Sequence, residues 1–217
     1  SNSIDAYKLD ITRAAFTGGE PVAKYLNAFD VDLFLSATEE DVQAAVESSV
    51  ASGLIYGGAP KNQPKKLQQI RIAFDGDAVL FSEESEMIYQ QQGLNAFIEH
   101  EKLNAGLPLP EGPFAKLLKT LSYLQFQLDG IIEGPTLIRT ALVTARNSPA
   151  HERVIRTLRA WNVRVDETFF LGGIPKDKIL ASFAPHIFFD DQHRHCDEAS
   201  RVVPTARVPY PKKETAE

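Results

Sequence analysis

Two aspartates one residue apart, Asp75 and Asp77, follow the apolar run Ile70–Phe74 in Phe74-Asp75-Gly76-Asp77-Ala78-Val79-Leu80-Phe81. A buried strand ending in such residues delivers them where open α/β sheets place their ligands. Gly76 between them lets the backbone come close to a bound group. Neighbouring carboxylates repel unless a shared proton or a cation compensates, and Mg²⁺, which prefers oxygen ligands, fits that need. An Asp-Gly-Asp surface turn is the plain alternative. Three other stretches end in comparable chemistry. Leu142-Val143-Thr144-Ala145-Arg146-Asn147 breaks from apolar into small polar residues, suited to binding phosphate oxygens with a hydroxyl and backbone N–H groups, or to starting a capped helix. Gly172-Gly173-Ile174-Pro175-Lys176 brings a cation that can offset phosphate and nucleophile, unless the lysine is simply solvated. Phe188-Phe189-Asp190-Asp191-Gln192 closes an aromatic run with two acids, costly near an apolar core unless paired or liganding.

The elements that must carry these residues are legible as short apolar runs, Ile70–Phe74, Thr140–Val143, Thr168–Leu171 and Ile187–Phe189. Each is too short for a helix and apolar or β-branched, as strands buried on both faces are. Helical patterns alternate with them, which predicts an α/β fold with a parallel sheet covered by crossover helices. Glu83 to Leu103 has helical spacing with charge on one side, and Pro113-Phe114 opens a second helix carrying Leu117, Leu118, Leu121 and Leu124 on one stripe. The 62 residues between Phe81 and Thr144 exceed a simple crossover, which predicts an inserted helical subdomain.

Composition narrows the classes. With 23 basic against 29 acidic side chains, the net charge of −6 argues against a phosphate-backbone binder, so no nucleic-acid partner is expected. The apolar runs are far too short to span a membrane. Cys196 is the single cysteine, which excludes an internal disulfide and, with no signal-like opening, predicts a cytoplasmic protein. His193, His195 and Cys196 cluster in sequence, but no second Cys/His group accompanies them, so zinc is not expected.

The chain also repeats itself at an offset of 154 residues: Phe16-Thr17-Gly18-Gly19-Glu20-Pro21 aligns with Phe170-Leu171-Gly172-Gly173-Ile174-Pro175, with eight identities across the 22 positions from Phe16 to Ala37. Duplication explains an ungapped match of this kind. The first copy carries Val22 where the second has Lys176, and Ser36-Ala37 where it has Asp190-Asp191, so it reads as a degenerate, inactive copy. Its earlier half maps some eighty residues before Ser1, which predicts further chain upstream. Strand candidates in this copy are Ile11–Phe16, Leu33–Leu35 and Gly53–Tyr56, expected to dock on upstream chain, on the second copy or on a partner.

The ordered set of Asp-x-Asp, Thr, Lys and Asp-Asp, each after a strand, resembles the haloacid dehalogenase superfamily of phosphotransferases. Arg71-Ile72-Ala73-Phe74-Asp75-Gly76-Asp77-Ala78-Val79-Leu80-Phe81-Ser82, Phe16-Thr17-Gly18-Gly19, Leu33-Phe34-Leu35-Ser36-Ala37, Leu142-Val143-Thr144-Ala145-Arg146 and Pro185-His186-Ile187-Phe188-Phe189-Asp190-Asp191-Gln192 are similar to the cytosolic 5′-nucleotidase type I family. The resemblance implies a Rossmann-like haloacid dehalogenase core at 67–82 and 136–211 with a helical cap insertion at 83–135, while the repeat predicts the degenerate partial core copy at 3–58 and composition predicts a Gly/Pro/Lys linker at 59–66 and a polar tail at 212–217. It implies Asp75 as nucleophile, Asp77 as acid and base, and Lys176 as the third catalytic residue. Gly76, Thr144, Ala145 and Arg146 are implied on the phosphate or substrate side. Mg²⁺ is the implied cofactor, held by Asp75, the Asp77 backbone carbonyl, Asp190 and Asp191, with Asp191 favoured as the direct ligand. Phe81, Phe97, His100, Tyr123 and Phe126 are candidates for base stacking, each of which packing alone would also explain. The expected activity is hydrolysis of nucleoside 5′-monophosphates, AMP-like, by a chain that can also form a homo-oligomer. A phosphatase for another small phosphometabolite and a non-enzymatic assembly module are the alternatives.

Overall fold

Apolar and β-branched runs that cannot reach helical length pair side by side, and helices cover both faces of the sheet they form. In the computed structural model, which describes residues 2–57, 69–131, 134, 136–147 and 150–210, the chain forms α1 (Asn2–Tyr7), α2 (Ala23–Leu26), β1 (Phe34–Ser36), α3 (Glu39–Glu47), β2 (Ser52–Ile55), β3 (Ile70–Phe74), α4 (Glu84–Leu103), α5 (Ala115–Leu128), β4 (Ile138–Thr144), α6 (His151–Ala160), β5 (Glu167–Phe170), α7 (Asp177–Phe183), β6 (Ile187–Asp190), α8 (His193–Ala199) and β7 (Thr205–Arg207). The linker expected at 59–66 and the tail at 212–217 lie outside the described residues. No helix among the described residues is long and apolar enough to cross a membrane.

The strands make one seven-stranded sheet in the order β1-β2-β7-β6-β3-β4-β5, parallel except between β2 and β7. From β3 the chain winds through β4 to β5, then returns to the other side of β3 for β6 and β7. The direction of winding therefore reverses between β3 and β6, and the loops leaving their C-terminal ends part to opposite faces and leave a crevice. Asp75 and the pair Asp190-Asp191 sit at those two ends.

Side chains alternate across the sheet. Phe74, Leu142 and Phe189 face one way, with Leu117 and Leu118 of α5 and Val154 and Leu158 of α6. Ala73, Ala141, Val143 and Phe188 face the other, with Leu180 and Phe183 of α7 and Ala199 of α8. Phe74 stacks on Phe189 at 5.7 Å, and Phe114 leans on Phe189 at 4.6 Å. Thus α5 lies on the sheet itself as the crossover into β4, although its leucine stripe was expected in an inserted subdomain.

The N-terminal segment docks on the rest of the chain through β2, whose Leu54 and Ile55 pair with Arg207 and Ala206 of β7. Gln43 Nε2 donates to the Tyr210 carbonyl at 2.9 Å, and Arg207 pairs with Glu39 at 2.5 Å. Leu26, Ala45 and Val50 form a small core of their own. Two of its three expected strands form. Ile11–Phe16 does not, and Phe16 is 93% exposed, because no neighbouring strand among the described residues offers it a ladder. Left-handed backbone occurs at Lys8, Gly18, Gly19 and Asp30 (φ 50°, 63°, 99° and 51°), and again 154 residues later at Asn162, Gly172, Gly173 and Ala184 (52°, 58°, 88° and 50°).

Between β3 and α5 the backbone closes on itself. Gly112 N donates to Leu80 O and Phe114 N to Val79 O, both at 2.9 Å, clamping the loop that carries Asp77. A Cβ on Gly112 would lie 2.6 Å from Val79 O and closer still to Phe81 O, atoms that cannot move aside. Gly112→Ala is therefore expected to cost about 1–3 kcal/mol and to lower the melting temperature by roughly 2–10 °C. Calorimetry showing an unchanged transition would contradict the close approach.

Candidate active site

Asp75 N donates to Phe189 O at 2.8 Å, so the β3–β6 ladder holds the residue to its last hydrogen bond. Its side chain accepts from Gly76 N at 2.7 Å. The chain then leaves in a wide turn, Gly76 to Leu80, with Ala78 at φ 61° and Phe81 N donating back to Gly76 O. That turn swings Asp77 away from Asp75. Lys176, at the start of α7, reaches Asp75 Oδ1 at 2.9 Å and Asp190 Oδ2 at 2.7 Å. Asp190 Oδ1 accepts from Gln192 N at 2.9 Å, and His195 Nδ1 lies 3.4 Å away without a well-aligned hydrogen bond. Asp191 Oδ2 accepts from the Tyr210 hydroxyl at 2.5 Å, while its Oδ1 is buried with no hydrogen-bond partner.

Two buried carboxylates thus hold one buried ammonium, and a third, Asp191, lies near enough to feel its charge. Burial raises the pKa of Asp75 to about 7, with Lys176 opposing and Asp190 adding to the rise. Burial, then Asp75 and Asp190, push Asp191 up to about 8. Burial also works against charge on Lys176 and Asp190, yet their contact overcomes it: the lysine holds its proton more tightly than usual, and Asp190 stays below the ordinary carboxylate range. One oxygen each of Asp75 and Asp190 and a ring nitrogen of His195 lie within 4.8 Å of one another, close enough to share an ion. The partnerless oxygen of Asp191 and the excess of buried carboxylate over cation suit a hard dication such as Mg²⁺.

Thr144 ends β4 fully buried, and its Oγ1 accepts from Arg146 N at 3.3 Å. A Cβ on Gly76 would sit 3.3 Å from that oxygen, so the two loops touch here. Ala145 lines a cavity of about 100 Å³ with Gly173, Pro175, Lys176 and His195, space for more than one water. Arg146 takes a different place from the expected phosphate ligand. Its Nε and Nη2 grip both oxygens of Asp77 at 2.8 and 2.6 Å, and Nη1 binds Glu101 of α4 at 2.5 Å. With its side chain 2% exposed, the guanidinium is committed inside the protein.

Of the base-stacking candidates, Phe81 is fully buried against Trp161 and Phe97 lies under Arg146. His100 is bound between Glu84 and Arg153. Tyr123 and Phe126 are exposed on α5, but Gln125 between them bonds Ile138 O at the start of β4. That is the end of the strand away from Thr144, roughly 20 Å off. His193, His195 and Cys196 turn to three different partners: the Tyr56 hydroxyl, the Asp190 carboxylate and the Asp190 carbonyl.

Glu101, Arg153 and Tyr210 join the site without a place among the expected residues, and His195, set aside as a zinc ligand, lies beside Asp190. Tyr210 had a signal, since it stands opposite Tyr56 in the repeat; buried charged residues on helices had none.

A family model described as 5′-nucleotidase matches residues 1–215. The chain is 41% identical over 214 residues to "Cytosolic 5′-nucleotidase 1B" of Homo sapiens, an alignment covering 98% of this chain and 35% of that protein. The chain therefore spans about a third of the length of this curated relative. No solved structure matches it.

The shifts of Asp75 and Asp191 set a sign for stability. Both hold protons more tightly folded than unfolded, so their contribution is whole below the unfolded carboxylate range, near pH 4. It is lost as the pH climbs through about 7 and about 8. The metal-free chain is expected to melt at lower temperature at about pH 8.5 than at about pH 5.5, and Mg²⁺ to raise the melting temperature more at the higher pH. A Mg²⁺ effect that is absent, or larger at acid pH, would count against the cluster as an ion site.

Proposed function

The chain belongs to the 5′-nucleotidase family, and from that premise we propose that it hydrolyses nucleoside 5′-monophosphates, AMP-like, to nucleoside and phosphate with Mg²⁺ as cofactor. One observation supports this above others. Lys176 bridges Asp75 and Asp190 at 2.9 and 2.7 Å while Asp191 keeps a buried oxygen without a partner, all at the crevice where the sheet reverses its winding. Mg²⁺, held by Asp75, the Asp77 backbone carbonyl and the Asp190-Asp191 pair, with Asp191 as the direct ligand and Asp190 behind it on Lys176, would neutralise charge on the phosphoryl oxygens.

Asp75 attacks phosphorus in line: its carboxylate forms the new P–O bond as the bond to the ribose 5′-oxygen breaks. Asp77, protonated on an oxygen that one Arg146 nitrogen releases, gives that proton to the departing oxygen, then takes one from the water that hydrolyses the aspartyl-phosphate. Thr144 Oγ1 and the Ala145 N–H bind phosphate oxygens, and Gly76 keeps the nucleophile loop close to them. Lys176 offsets the negative charge gathered around the transferring group. Arg146 is assigned to Asp77 rather than to phosphate, since both Asp77 oxygens already engage it.

The finer architecture belongs to the same reading. The matched left-handed positions 154 residues apart, and the α–β–α–β order shared by α2 to β2 and α7 to β7, support residues 3–58 as a degenerate partial repeat of the core. The contacts of α4 with the loops after β4 and β6, Glu101 to Arg146 and Glu86 to Gln192, support α4 as the site-facing part of the cap insertion expected at 83–135. The relative's cytosolic description fits a lone, buried cysteine, and β1, which ends the sheet among the described residues, offers a place for a second copy to pair.

Phosphate release from nucleoside 5′-monophosphates and sugar phosphates, with and without Mg²⁺, tests the proposal. Turnover of the nucleotides is expected to need Mg²⁺, and Asp75→Asn to lower it by roughly 10³-fold or more with the fold retained. Equal turnover of sugar phosphates would defeat the nucleotide assignment. Unchanged turnover in Asp75→Asn would defeat the nucleophile.

A further inference from the structure

A second buried cluster stands beside the carboxylate site. Glu101, in the last turn of α4, has a side chain 1% exposed. Its Oε1 accepts from Ser85 Oγ at 2.8 Å and from Arg153 Nη1 at 3.0 Å, and its Oε2 accepts from Arg146 Nη1 at 2.5 Å. Arg153 of α6 also donates to Leu107 O at 3.0 Å. Arg146 lies over the Phe97 ring at 5.4 Å and ends in the fork on Asp77. Two carboxylates and two guanidinia balance in charge, the condition under which such groups tolerate burial.

The geometry is one of aim. A guanidinium presents its donors in a rigid plane, so the direction in which Arg146 points fixes the plane of the Asp77 carboxylate. Arg146 is held in turn by Glu101, which binds its remaining nitrogen at 2.5 Å, with the Ala150 carbonyl a longer contact of the same nitrogen at 3.4 Å and Phe97 closing its far face. Glu101 is itself fixed by Ser85, on the other arm of α4 across the break at Gly93 (φ 83°), and by Arg153 of α6. Asp77 sits on a loop, clamped through backbone bonds but free in its side-chain torsions apart from this chain of contacts.

We propose that Glu101 is a positioning residue for proton transfer by Asp77, acting through Arg146, and that α4 by this link sets where the acid and base group points. The proposal rests on the phosphatase reading above. Glu101 touches neither phosphate nor metal ligand in this arrangement; its effect falls on the step that uses Asp77.

Leaving-group dependence isolates that step. A ribose 5′-oxygen departs as a strongly basic alkoxide and needs a proton from Asp77, whereas p-nitrophenolate departs without one. With Mg²⁺ present, Glu101→Gln is expected to lower kcat/KM on AMP by roughly 10–100-fold and to change kcat/KM on p-nitrophenyl phosphate by less than about 3-fold, because kcat/KM covers only the steps through transfer to Asp75 and excludes the hydrolysis of the aspartyl-phosphate, in which Asp77 serves either substrate. Should Glu101→Gln fail to fold, Arg146→Lys, which keeps a charge but cannot fork, is expected to give the same pattern. Equal losses on both substrates, or no loss on either, would overturn the proposal while leaving the phosphatase reading intact. A wild-type chain that turns over neither substrate would overturn both.

Discussion

One buried lysine among three buried carboxylates is the constraint on which the rest of this molecule turns. Asp75, Asp190 and Asp191 are each at most 5% exposed, and Lys176 is 4% exposed, so water screens none of them. Lys176 satisfies two of the acids, and the third depends on a tyrosine hydroxyl for one oxygen and on nothing among the described residues for the other. Burying such an imbalance is unfavourable in any chain selected for stability alone. The surrounding fold is rigid where it meets this cluster: an aromatic stack of Phe74, Phe189 and Phe114 beneath it, and ladder bonds that run to Asp75 and past Asp190. Strain of this kind held in place by packing is what a site for a multivalent cation and an anionic substrate requires.

A second charge system, this one balanced, joins the site to the helix above it. Asp77, Arg146, Glu101 and Arg153 come from the loop after β3, the loop after β4, α4 and α6. The two systems divide the chemistry: the unbalanced one draws cation and phosphate, and the balanced one fixes a carboxylate's direction. Their meeting point is the short stretch Asp75 to Asp77, whose wide turn sends neighbouring acids to different partners.

The sequence carried the site's strands clearly and its wiring hardly at all. Ile70–Phe74 forms the strand read from it, and Thr140–Val143, Thr168–Leu171 and Ile187–Phe189 lie within a residue or two of β4, β5 and β6, because strands buried on both faces are continuous apolar runs. The leucine stripe of α5 announced burial but not against what, and it met the sheet rather than a separate subdomain. Ile11–Phe16 had strand-like composition without a partner strand to complete it. Glu101 and Arg153 carry no mark of burial in the sequence, since the charges they meet lie 45 and 52 positions away and come together only in the folded chain. Arg146 was placed near the chemistry by its position after β4, yet its side chain turned to a carboxylate instead of a phosphate.

The most direct test of the central claim is to locate the ion. Crystals grown with Mn²⁺ in place of Mg²⁺ give an anomalous signal that needs no assumption about activity. The account predicts a strong peak bonded to carboxylate oxygens of Asp75 and Asp191, with Lys176 still against Asp190. A map with no peak among those carboxylates at saturating Mn²⁺, or with the ion bound elsewhere while all three stay as they are, would contradict it.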